Sequence, residues 1–348
     1  MMKKMVSVFL ALVMTVLSLA GCKPTEDKKP TLQYKYFLKE YLGTVNSVYS
    51  YAEDEKTVFE ANCAAVEELL DRANKLFDIY YEYSGINNIK TINKAAGKGE
   101  PVVVDSMIID LLEYGKEVYA LTEGQTNIAM GAVLSLWHDC RDAAEYDSRD
   151  AYLPDEWKLA EAARHVDINK LVIDRENSTV YLEDPLMSLD VGALAKGYVT
   201  DLARDLLFSR GATSYVLNFG GNVVEVGGDG WEIPLSNPNT ESSEYLATLL
   251  LKNTAVITSG NYRRYFFYEG KRYHHLIDPD TLYPADYHSA VSVICESSAF
   301  GDALSTALFC MTESEGLSLI ESLSDVEAMW FTKDGNKIVS SGWNNYVK

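Results

Sequence analysis

The sequence predicts an α+β fold, built as one large domain of two packed lobes over residues 34–348. Apolar side chains recur at helical spacing in residues 55–81 and 105–122, which is typical of amphipathic helices. Apolar and polar positions alternate in other segments, of which 34–51 is the first, and this is typical of strands. The two patterns mix without a regular strand–helix alternation, so a doubly wound parallel sheet is not expected.

The remaining elements follow in chain order. Strands are predicted at residues 170–174, 179–182, 215–228 (ending in glycine turns), 255–258, 264–268, 271–277 and 289–296. Helices are predicted within 190–210 after a loop, and at 298–310 and 313–323, and a hairpin of 328–331 with 337–340 closes the chain. The asparagine-rich segment at 87–93 and the acidic one at 142–156 predict irregular structure.

The first 22 residues have the pattern of a bacterial lipoprotein leader. Lys3 and Lys4 precede an uncharged, mostly apolar run over residues 5–19, and a Leu-Ala-Gly motif then leads into Cys22. We therefore expect a signal peptide at 1–21 and acyl chains, palmitate among them, on Cys22, which would hold the protein at a membrane. An ordinary cleaved signal peptide, or a single hydrophobic anchor, is the alternative.

Residues 22–33 contain prolines and charges but no apolar cluster, which predicts a flexible tether. Anchor and tether together predict a protein of the cell membrane, lipid-anchored on its extracytoplasmic face. The full chain has a formal net charge of −20, and loss of two lysines with the leader makes it −22. Such a charge argues against nucleic-acid binding, and it means that a negatively charged ligand needs a local cation.

Besides Cys22, the sequence contains four cysteines. They are Cys63, Cys140, Cys295 and Cys310, and their spacing matches no zinc pattern. Export permits disulfides, but Cys63 lies in a helical pattern and Cys295 in a strand pattern, so buried free thiols are favoured over bridges.

Four segments combine turn glycines with polar side chains that a plain core would not need. In the first, residues 190–198, Asp190 precedes the mouth of a predicted helix and Lys196 follows closely. Free amides at a helix N-terminus favour an anion, although a capping Asp with a solvated lysine explains the pattern equally well. In the second, Gly220 and Gly221 allow close backbone approach to a ligand or strand, and a tight turn alone explains them better.

The third and fourth segments carry candidate catalytic and metal-binding groups. His275 lies at a strand end, three residues before Asp278, and can act as a general base near neutral pH. A lone histidine is nevertheless more often a satisfied polar residue. Asp302 and Thr306 are four residues apart, on one face of a predicted helix, and offer hard oxygen donors that suit Mg²⁺. A capping Asp with a threonine bonded to the preceding turn is the alternative.

These four segments, in this order, resemble the ApbE-like FAD:protein FMN transferases. Shorter upstream matches are Gly43-Thr44, Phe77-Asp78-Ile79-Tyr80, Ile92-Asn93, Thr122-Glu123-Gly124 and Leu136-Trp137. The resemblance runs from about residue 42 to the helix after Asp302. It implies a flavin transferase domain over 34–348 that moves FMN from FAD onto a Ser or Thr hydroxyl of an acceptor protein and releases AMP.

The resemblance also implies site residues. FAD contacts are expected from Tyr80 (against the flavin ring), Gln125, Thr126, Asn127, Asp190, Lys196 and the backbone of Leu276. Mg²⁺ is expected on the carbonyl of Ala193 and on Asp302 and Thr306, where it would neutralise a pyrophosphate that an acidic protein repels. His275 is expected to act as the base. The expected acceptors are proteins of membrane electron-transfer complexes.

Two departures and two alternative functions accompany this interpretation. The family commonly has Gly where this chain has Leu282, which puts the turn after His275 in question. Asn127 stands where many members carry Asp, which puts one adenosine or ribityl contact in question. A Mg²⁺-dependent FAD pyrophosphatase that uses water as acceptor fits the same residues, and so does a non-catalytic flavin- or solute-binding lipoprotein.

Overall fold

The computed structural model describes residues 31–228, 230–238 and 244–348. Residues 33–348 form one compact unit. The predicted signal peptide and the lipidated Cys22 lie outside the described residues, as does nearly all of the predicted tether. Over the part of the chain that is described, helices are too short or too polar to cross a membrane.

The fold is built around an eight-stranded sheet in which every neighbouring pair is antiparallel. The strands are β1 (Tyr34–Phe37), β2 (Asn46–Ser50), β3 (Val102–Val103), β4 (Leu171–Asp174), β5 (Thr179–Leu182), β6 (Tyr215–Phe219), β7 (Asn222–Val226), β8 (Trp231–Leu235), β9 (Ala247–Leu251), β10 (Ala255–Gly260), β11 (Tyr265–Tyr268), β12 (Lys271–His274), β13 (His288–Cys295), β14 (Glu327–Thr332) and β15 (Lys337–Val339). The large sheet has the order β1-β2-β6-β7-β10-β13-β14-β15, and the smaller sheets are β3-β5-β4, β8-β9 and β11-β12.

The helices divide between the large sheet and the smaller sheets. They are α1 (Lys56–Phe77), α2 (Ile89–Ala95), α3 (Ser106–Leu121), α4 (Gly131–Tyr146), α5 (Glu156–Ala162), α6 (Ala195–Ser209), α7 (Ser298–Cys310) and α8 (Glu313–Glu321). Short 3-10 turns lie at Ser148–Asp150, Ala163–His165, Ile168–Lys170 and Trp343–Asn345. Helix α7 packs on β10 and β13 and also against α6, so two helices that carry predicted site residues meet over the sheet.

Strand β13 is buried on both faces because the sheet is covered on both sides. Val293 and Cys295 belong to the apolar cluster that includes residues of α7. Ile294, between them, belongs to a second cluster with Leu249 of the β8-β9 hairpin and with Trp343. Successive side chains of a strand point to opposite faces, so one strand serves two cores. The site helices therefore rest on a sheet that is fixed from both sides.

The predicted α+β architecture is confirmed. Helix α7 and strand β5 have the predicted bounds, and α3 begins after Asp105, whose carboxylate accepts a hydrogen bond from the Met107 amide at 2.9 Å. The strand predicted over 215–228 is a hairpin of β6 and β7, and Gly220 and Gly221 form its turn with φ values of 64° and 101°. The tight-turn explanation of these glycines is thus correct.

Some predicted elements were wrong or missing. The first helix ends at Phe77 rather than near residue 81, because Asp78 leaves the helical conformation. The segments predicted as irregular contain most of α2 and the last turn of α4, and no helix was predicted for the rest of α4. The β8-β9 hairpin has no counterpart in the prediction.

The four cysteines of the described chain are buried free thiols, as predicted. Burial raises the pKa of Cys63 and of Cys295 to about 12. Such thiols stay protonated at neutral pH and are poor nucleophiles and poor metal ligands. They act as small apolar side chains of the core.

Candidate active site

The candidate metal-binding half of the site lies where α6 crosses α7. Lys196 Nζ lies 3.1 Å from each carboxylate oxygen of Asp302, and the Gly197 amide donates to Asp302 Oδ2 at 2.9 Å. Asp302 is 2% exposed. A Cβ on Gly197 would lie 2.3 Å from the Ser298 carbonyl oxygen and 2.7 Å from Asp302 Cβ, so the approach of the two helices requires glycine.

The residues expected to hold Mg²⁺ fit that ion in their chemistry. Because the Gly197 amide donates to Asp302, it is drawn away from the Ala193 carbonyl, four residues earlier, to which a regular helical turn would direct it. Thr306 Oγ1 donates to the Asp302 carbonyl at 3.1 Å and keeps its lone pairs. A carboxylate, a carbonyl and a hydroxyl are oxygen donors of the kind that Mg²⁺ prefers. Among the described residues, no group of three or more His, Cys, Asp or Glu side chains could hold a metal ion. The expected donor set needs only one such side chain, that of Asp302.

Helix α7 is held at its N-terminus by a carboxylate from α6. Asp201 Oδ1 accepts from the Ser298 amide and Oδ2 from the Ala299 amide, both at 2.9 Å. Asp201 also accepts from the Ser297 hydroxyl at 2.7 Å and pairs with Arg204. A carboxylate at a helix N-terminus satisfies free amides and the helix dipole together. Asp201 thereby fixes the helix that carries Asp302.

His275 is oriented by the residue that precedes β11. Its backbone amide donates to the Arg264 carbonyl at 3.2 Å, and its ring Nδ1 lies 3.3 Å from the same oxygen. A carbonyl only accepts, so this contact favours the proton on Nδ1 and leaves the lone pair on Nε2. Burial, with Arg264, His274 and Lys196 nearby, lowers the pKa of His275 to about 3. The ring is therefore neutral at pH 7.

Arg264 joins His275 to the loop before β2. Its guanidinium donates to the Gly43 carbonyl at 2.6 Å. Thr44, the next residue, packs so closely on Gly220 that a Cβ there would lie 2.4 Å from its hydroxyl oxygen. Arg264 also interacts electrostatically with Asp190 and Asp302. Segments that are far apart in the sequence thus converge at one place.

The segment after β12, which contains Leu276, is tied into its own turn. The Leu276 amide donates to His274 Nδ1 at 3.3 Å and its carbonyl accepts from the Ala285 amide at 2.9 Å. Asp278 Oδ1 accepts from the Asp280 amide at 2.8 Å, and the Asp278 carbonyl accepts from the Leu282 amide. Leu282 has φ of 64°, which is the left-handed conformation that glycine adopts freely. The departure from the family pattern therefore keeps the turn.

The candidate flavin-facing half of the site begins at Tyr80. The Asp78 carboxylate accepts from the Tyr80 amide at 2.6 Å and from the Tyr81 amide at 3.0 Å, which turns the chain directly after α1. The Tyr80 hydroxyl lies 3.2 Å from His138 Nδ1, and the ring is half exposed. His138 Nε2 in turn lies 3.8 Å from Asp190 Oδ2.

The three side chains of residues 125–127 form hydrogen bonds with different parts of the chain. Thr126 Oγ1 donates to the Ala303 carbonyl of α7 at 2.9 Å, and Gln125 Nε2 donates to Asp280 Oδ2 at 3.0 Å. Asn127 Oδ1 accepts from the Ala129 amide at 2.8 Å, and its Nδ2 donates to the Val166 carbonyl at 3.0 Å. Asn127 thus stabilises its own loop in this structure.

Comparison with known proteins identifies the family. The ApbE family model matches residues 42–330. The chain belongs to the ApbE family. A FAD:protein FMN transferase from Klebsiella pneumoniae is 32% identical over 286 residues, which cover 79% of this chain and 85% of the relative. One from Haemophilus influenzae is 29% identical and covers 92% of this chain and 91% of the relative.

Solved ApbE structures share the fold. The crystal structure of the ApbE protein from Thermotoga maritima aligns with a TM-score of 0.80 at 26% identity, over 91% of this chain and 100% of that one. The flavin transferase ApbE from Vibrio cholerae aligns with a TM-score of 0.73 at 20% identity, over 91% and 100% of the two chains. The second likeness shows the fold alone.

In this ApbE-family chain, the residues predicted for the site do not all meet directly. Lys196 and Asp302 are in contact, and Thr126 contacts the backbone of α7. Asp190 and Tyr80 both lie beside His138, which the sequence analysis missed together with Arg264 and Asp201 as positioning residues. The roles assigned to the predicted residues stay predictions.

Proposed function

We propose that this ApbE-family chain transfers FMN from FAD to a Ser or Thr hydroxyl of an acceptor protein, releases AMP, and depends on Mg²⁺. The chain is a transferase by family, and the relatives named FAD:protein FMN transferase support the flavin reaction. Lipid anchoring through Cys22, an extracytoplasmic site at the cell membrane and acceptors in membrane electron-transfer complexes belong to the same proposal.

One observation supports this type of reaction. The neutral imidazole of His275 lies near the Lys196–Asp302 ion pair, and the lysine suits an anionic substrate. The proton on His275 Nδ1 is directed to the backbone carbonyl of Arg264. The ring is neutral, so Nε2 keeps a lone pair that can accept a proton. Lys196 contributes to the electrostatics of the His275 ring and pairs with the buried Asp302. A neutral imidazole has a lone pair that can accept a proton, and a positively charged group nearby can stabilise the charge of a phosphoryl group.

The residues that would hold the metal are the Ala193 carbonyl, Asp302 and Thr306. When bound there, Mg²⁺ supplies charge neutralisation and polarisation of the pyrophosphate oxygens. Lys196 pairs with Asp302 in this structure, and its ammonium group would contact phosphate oxygens when FAD is bound. The protein has a net charge of −20, which repels an anionic substrate. Mg²⁺ and Lys196 would offset that repulsion at the site itself.

The remaining residues bind and orient. Tyr80 would stack on the isoalloxazine ring, and Asp190, Gln125, Thr126 and Asn127 with the Leu276 backbone would line the rest of FAD. His275 Nε2 accepts the proton of the acceptor hydroxyl, whose oxygen forms a bond to the FMN phosphorus. The bond from that phosphorus to the AMP oxygen breaks, and AMP leaves with the electron pair. The product is a phosphoester between FMN and the acceptor.

The test incubates the purified protein with FAD, Mg²⁺ and an acceptor domain that carries a Ser/Thr-Gly-Ala-Thr segment. Intact mass should show one FMN phosphoester per acceptor, with AMP in equal amount, and chelation of Mg²⁺ should abolish both. His275→Gln should reduce transfer at least about 100-fold while FAD binding remains, because glutamine cannot accept the proton. AMP and FMN without an adduct would instead indicate hydrolysis, and intact FAD would contradict catalysis altogether.

A further inference from the structure

A histidine outside the predicted site lies between two residues proposed to contact FAD. His138 is on α4, and its side chain is 18% exposed. Its Nδ1 lies 3.2 Å from the Tyr80 hydroxyl and its Nε2 lies 3.8 Å from Asp190 Oδ2. The rings of Tyr80 and His138 are 5.9 Å apart and inclined at 46°. The imidazole thus has one nitrogen directed to each of the two residues.

We propose that His138 is a positioning residue, which holds the Tyr80 ring in the orientation that stacks on the flavin and couples it to Asp190. This inference rests on the proposed function, because the contacts of Tyr80 and Asp190 with FAD are part of that proposal. It adds a residue that has no role in the reaction described above.

The two contacts favour one protonation state and one tautomer. Burial lowers the pKa of His138, against the opposing attraction of Asp190 and the nearby Asp139 and Asp142, and Arg141 lowers it further. The ring is therefore neutral at pH 7. A neutral imidazole has one donor and one acceptor, and the negative charge of Asp190, 3.8 Å from Nε2, favours the proton on that nitrogen. The lone pair on Nδ1 then accepts the Tyr80 hydroxyl proton.

This arrangement fixes Tyr80 at both ends. Its backbone amide donates to Asp78, which sets the turn, and its hydroxyl donates to His138, which sets the ring. The ring is half exposed, and its hydroxyl also interacts with Arg141, so His138 acts together with Arg141 in limiting its rotation. A side chain that is already ordered loses less entropy when a ligand binds, which improves affinity by a factor of about 2 to 12 per side chain.

The test compares variants that remove one contact at a time. His138→Asn keeps an acceptor at the position of Nδ1, His138→Gln keeps a donor near the position of Nε2, and His138→Phe keeps only a ring. FAD affinity is measured by fluorescence, because a stacked tyrosine quenches flavin emission. We expect His138→Phe to weaken FAD binding about 3- to 10-fold and to reduce quenching. His138→Asn should restore quenching, and His138→Gln should not.

A double-mutant cycle separates positioning from a general loss of structure. Tyr80→Phe removes the hydroxyl but keeps the ring, so its effect and that of His138→Phe should be less than additive if the two groups act together, while loss of the Arg141 interaction belongs to Tyr80→Phe alone. In transfer assays the FAD KM should rise while kcat stays within about 2-fold, because no reacting atom is touched. Tyr81→Phe, which changes the neighbouring exposed tyrosine, is the matched control and should bind FAD normally.

The outcomes distinguish this inference from the proposed function. Wild-type affinity and quenching in His138→Phe, or additive effects in the cycle, would overturn the role of His138 even if FMN transfer proceeds. Absence of transfer by the wild type, with the fluorescence results as expected, would overturn the transferase reaction and leave the positioning role in place. A wild-type protein that does not bind FAD would overturn both.

Discussion

The two halves of the candidate site differ in how firmly the chain holds them. In the α6–α7 half, Asp302 is 2% exposed and accepts hydrogen bonds from Lys196 and from the Gly197 amide. In the Tyr80 half, the tyrosine is 50% exposed, and its hydroxyl contacts His138 and also interacts with Arg141. The first half is fixed by contacts between buried groups, whereas the second is held by a few polar contacts of a half-exposed side chain.

The difference corresponds to what each half is proposed to bind. A small, strongly hydrated cation needs donors at set positions, so the oxygen atoms must be placed before it arrives. A flat flavin ring needs one broad surface and tolerates a small rotation of its partner. Substitutions in the α6–α7 half should therefore have large effects on both stability and catalysis, whereas those near Tyr80 should change affinity modestly.

The largest effect is expected for Asp302→Asn. Asparagine keeps an oxygen that can accept from the Gly197 amide but removes the charge that Mg²⁺ and Lys196 require. Transfer should fall about 100- to 1,000-fold at saturating FAD, on the scale of losing one charge-stabilising group. Asparagine is preferred to alanine, because alanine would leave Lys196 without its partner and destabilise the fold.

A matched control exists on the same pair of helices. Asp205→Asn changes an exposed carboxylate of α6 and should leave transfer within about 2-fold. Stability of both variants is followed by urea unfolding. Mg²⁺-dependent transfer at the wild-type rate in Asp302→Asn would show that the metal is bound elsewhere.

The next largest effect is expected for Gly197→Ala. Alanine normally stabilises a helix relative to glycine by about 1 kcal/mol. Here its Cβ would lie 2.3 Å from the Ser298 carbonyl oxygen and 2.8 Å from Ala299 Cα, and backbone atoms cannot rotate away. We expect about 3 kcal/mol of destabilisation by urea unfolding, at the upper end of overpacking costs.

Gly192→Ala is the control for this substitution. A Cβ at Gly192 approaches only the Asp190 carboxylate, at 3.1 Å, and meets no backbone. Its effect on the unfolding free energy should stay below about 1 kcal/mol. Equal stability of the two variants would show that α6 and α7 can separate without cost.

An intermediate, pH-dependent effect is expected from His274. Its Nε2 donates to the Ala285 carbonyl at 2.9 Å, its Nδ1 accepts from the Leu276 amide, and burial lowers its pKa to about 4. The unfolded chain protonates this histidine below about pH 6.5, while the folded chain does not until about pH 4. Stability is therefore present in full above pH 6.5 and is lost as the pH falls, by up to about 1.4 kcal/mol per pH unit.

The measurement is the unfolding free energy at pH 7, 6, 5 and 4.5. His274→Gln should be less stable than the wild type at pH 7, because it loses ring packing against Phe309, but its stability should fall less steeply with pH. His275, whose pKa is lowered to about 3, contributes a slope of the same sign, so some acid sensitivity should remain. Parallel curves for the two proteins would contradict the assignment to His274.

The sequence predicted helices α7 and α3 well because their signals are local. Ser297 and Asp105 provide caps before apolar runs, and the bounds of α7 and α3 follow from them. Helix α4 lacks such a signal, since it begins at Gly131 after Met130, which makes no side-chain cap. The β8-β9 hairpin, for which nothing was predicted, contains Pro234, a residue that argues against a central strand and is tolerated at a sheet edge.

Functional contacts between distant parts of the chain could not be predicted in the same way. His138 lies on the helix that was missed, and its partners are 58 and 52 residues away, so no spacing rule links them. The motif around Asp302 predicted an oxygen ligand but not the Gly197 amide that donates to it. Such pairs follow from how α6 crosses α7, which depends on packing of the whole core.

The smallest effect is expected at Leu282, where this chain departs from the family pattern. Leu282 holds φ of 64°, its carbonyl accepts from the Trp137 indole at 2.9 Å, and its side chain packs partly on a small apolar cluster. Left-handed backbone costs a non-glycine residue about 1–2 kcal/mol, whereas glycine adopts it without strain. Leu282→Gly and Leu282→Ala both lose the packed side chain, but only glycine relieves the backbone.

We therefore expect Leu282→Gly to be more stable than Leu282→Ala by about 1 kcal/mol in urea unfolding, the reverse of the order at ordinary positions. The comparison cancels the lost packing, since neither variant has more than one side-chain carbon. If Leu282→Ala proves the more stable, the turn after Asp278 does not require the left-handed conformation. FAD affinity should be unchanged in both variants, since the hydrogen bonds of the Leu276 backbone to His274 and Ala285 lie outside the substituted residue.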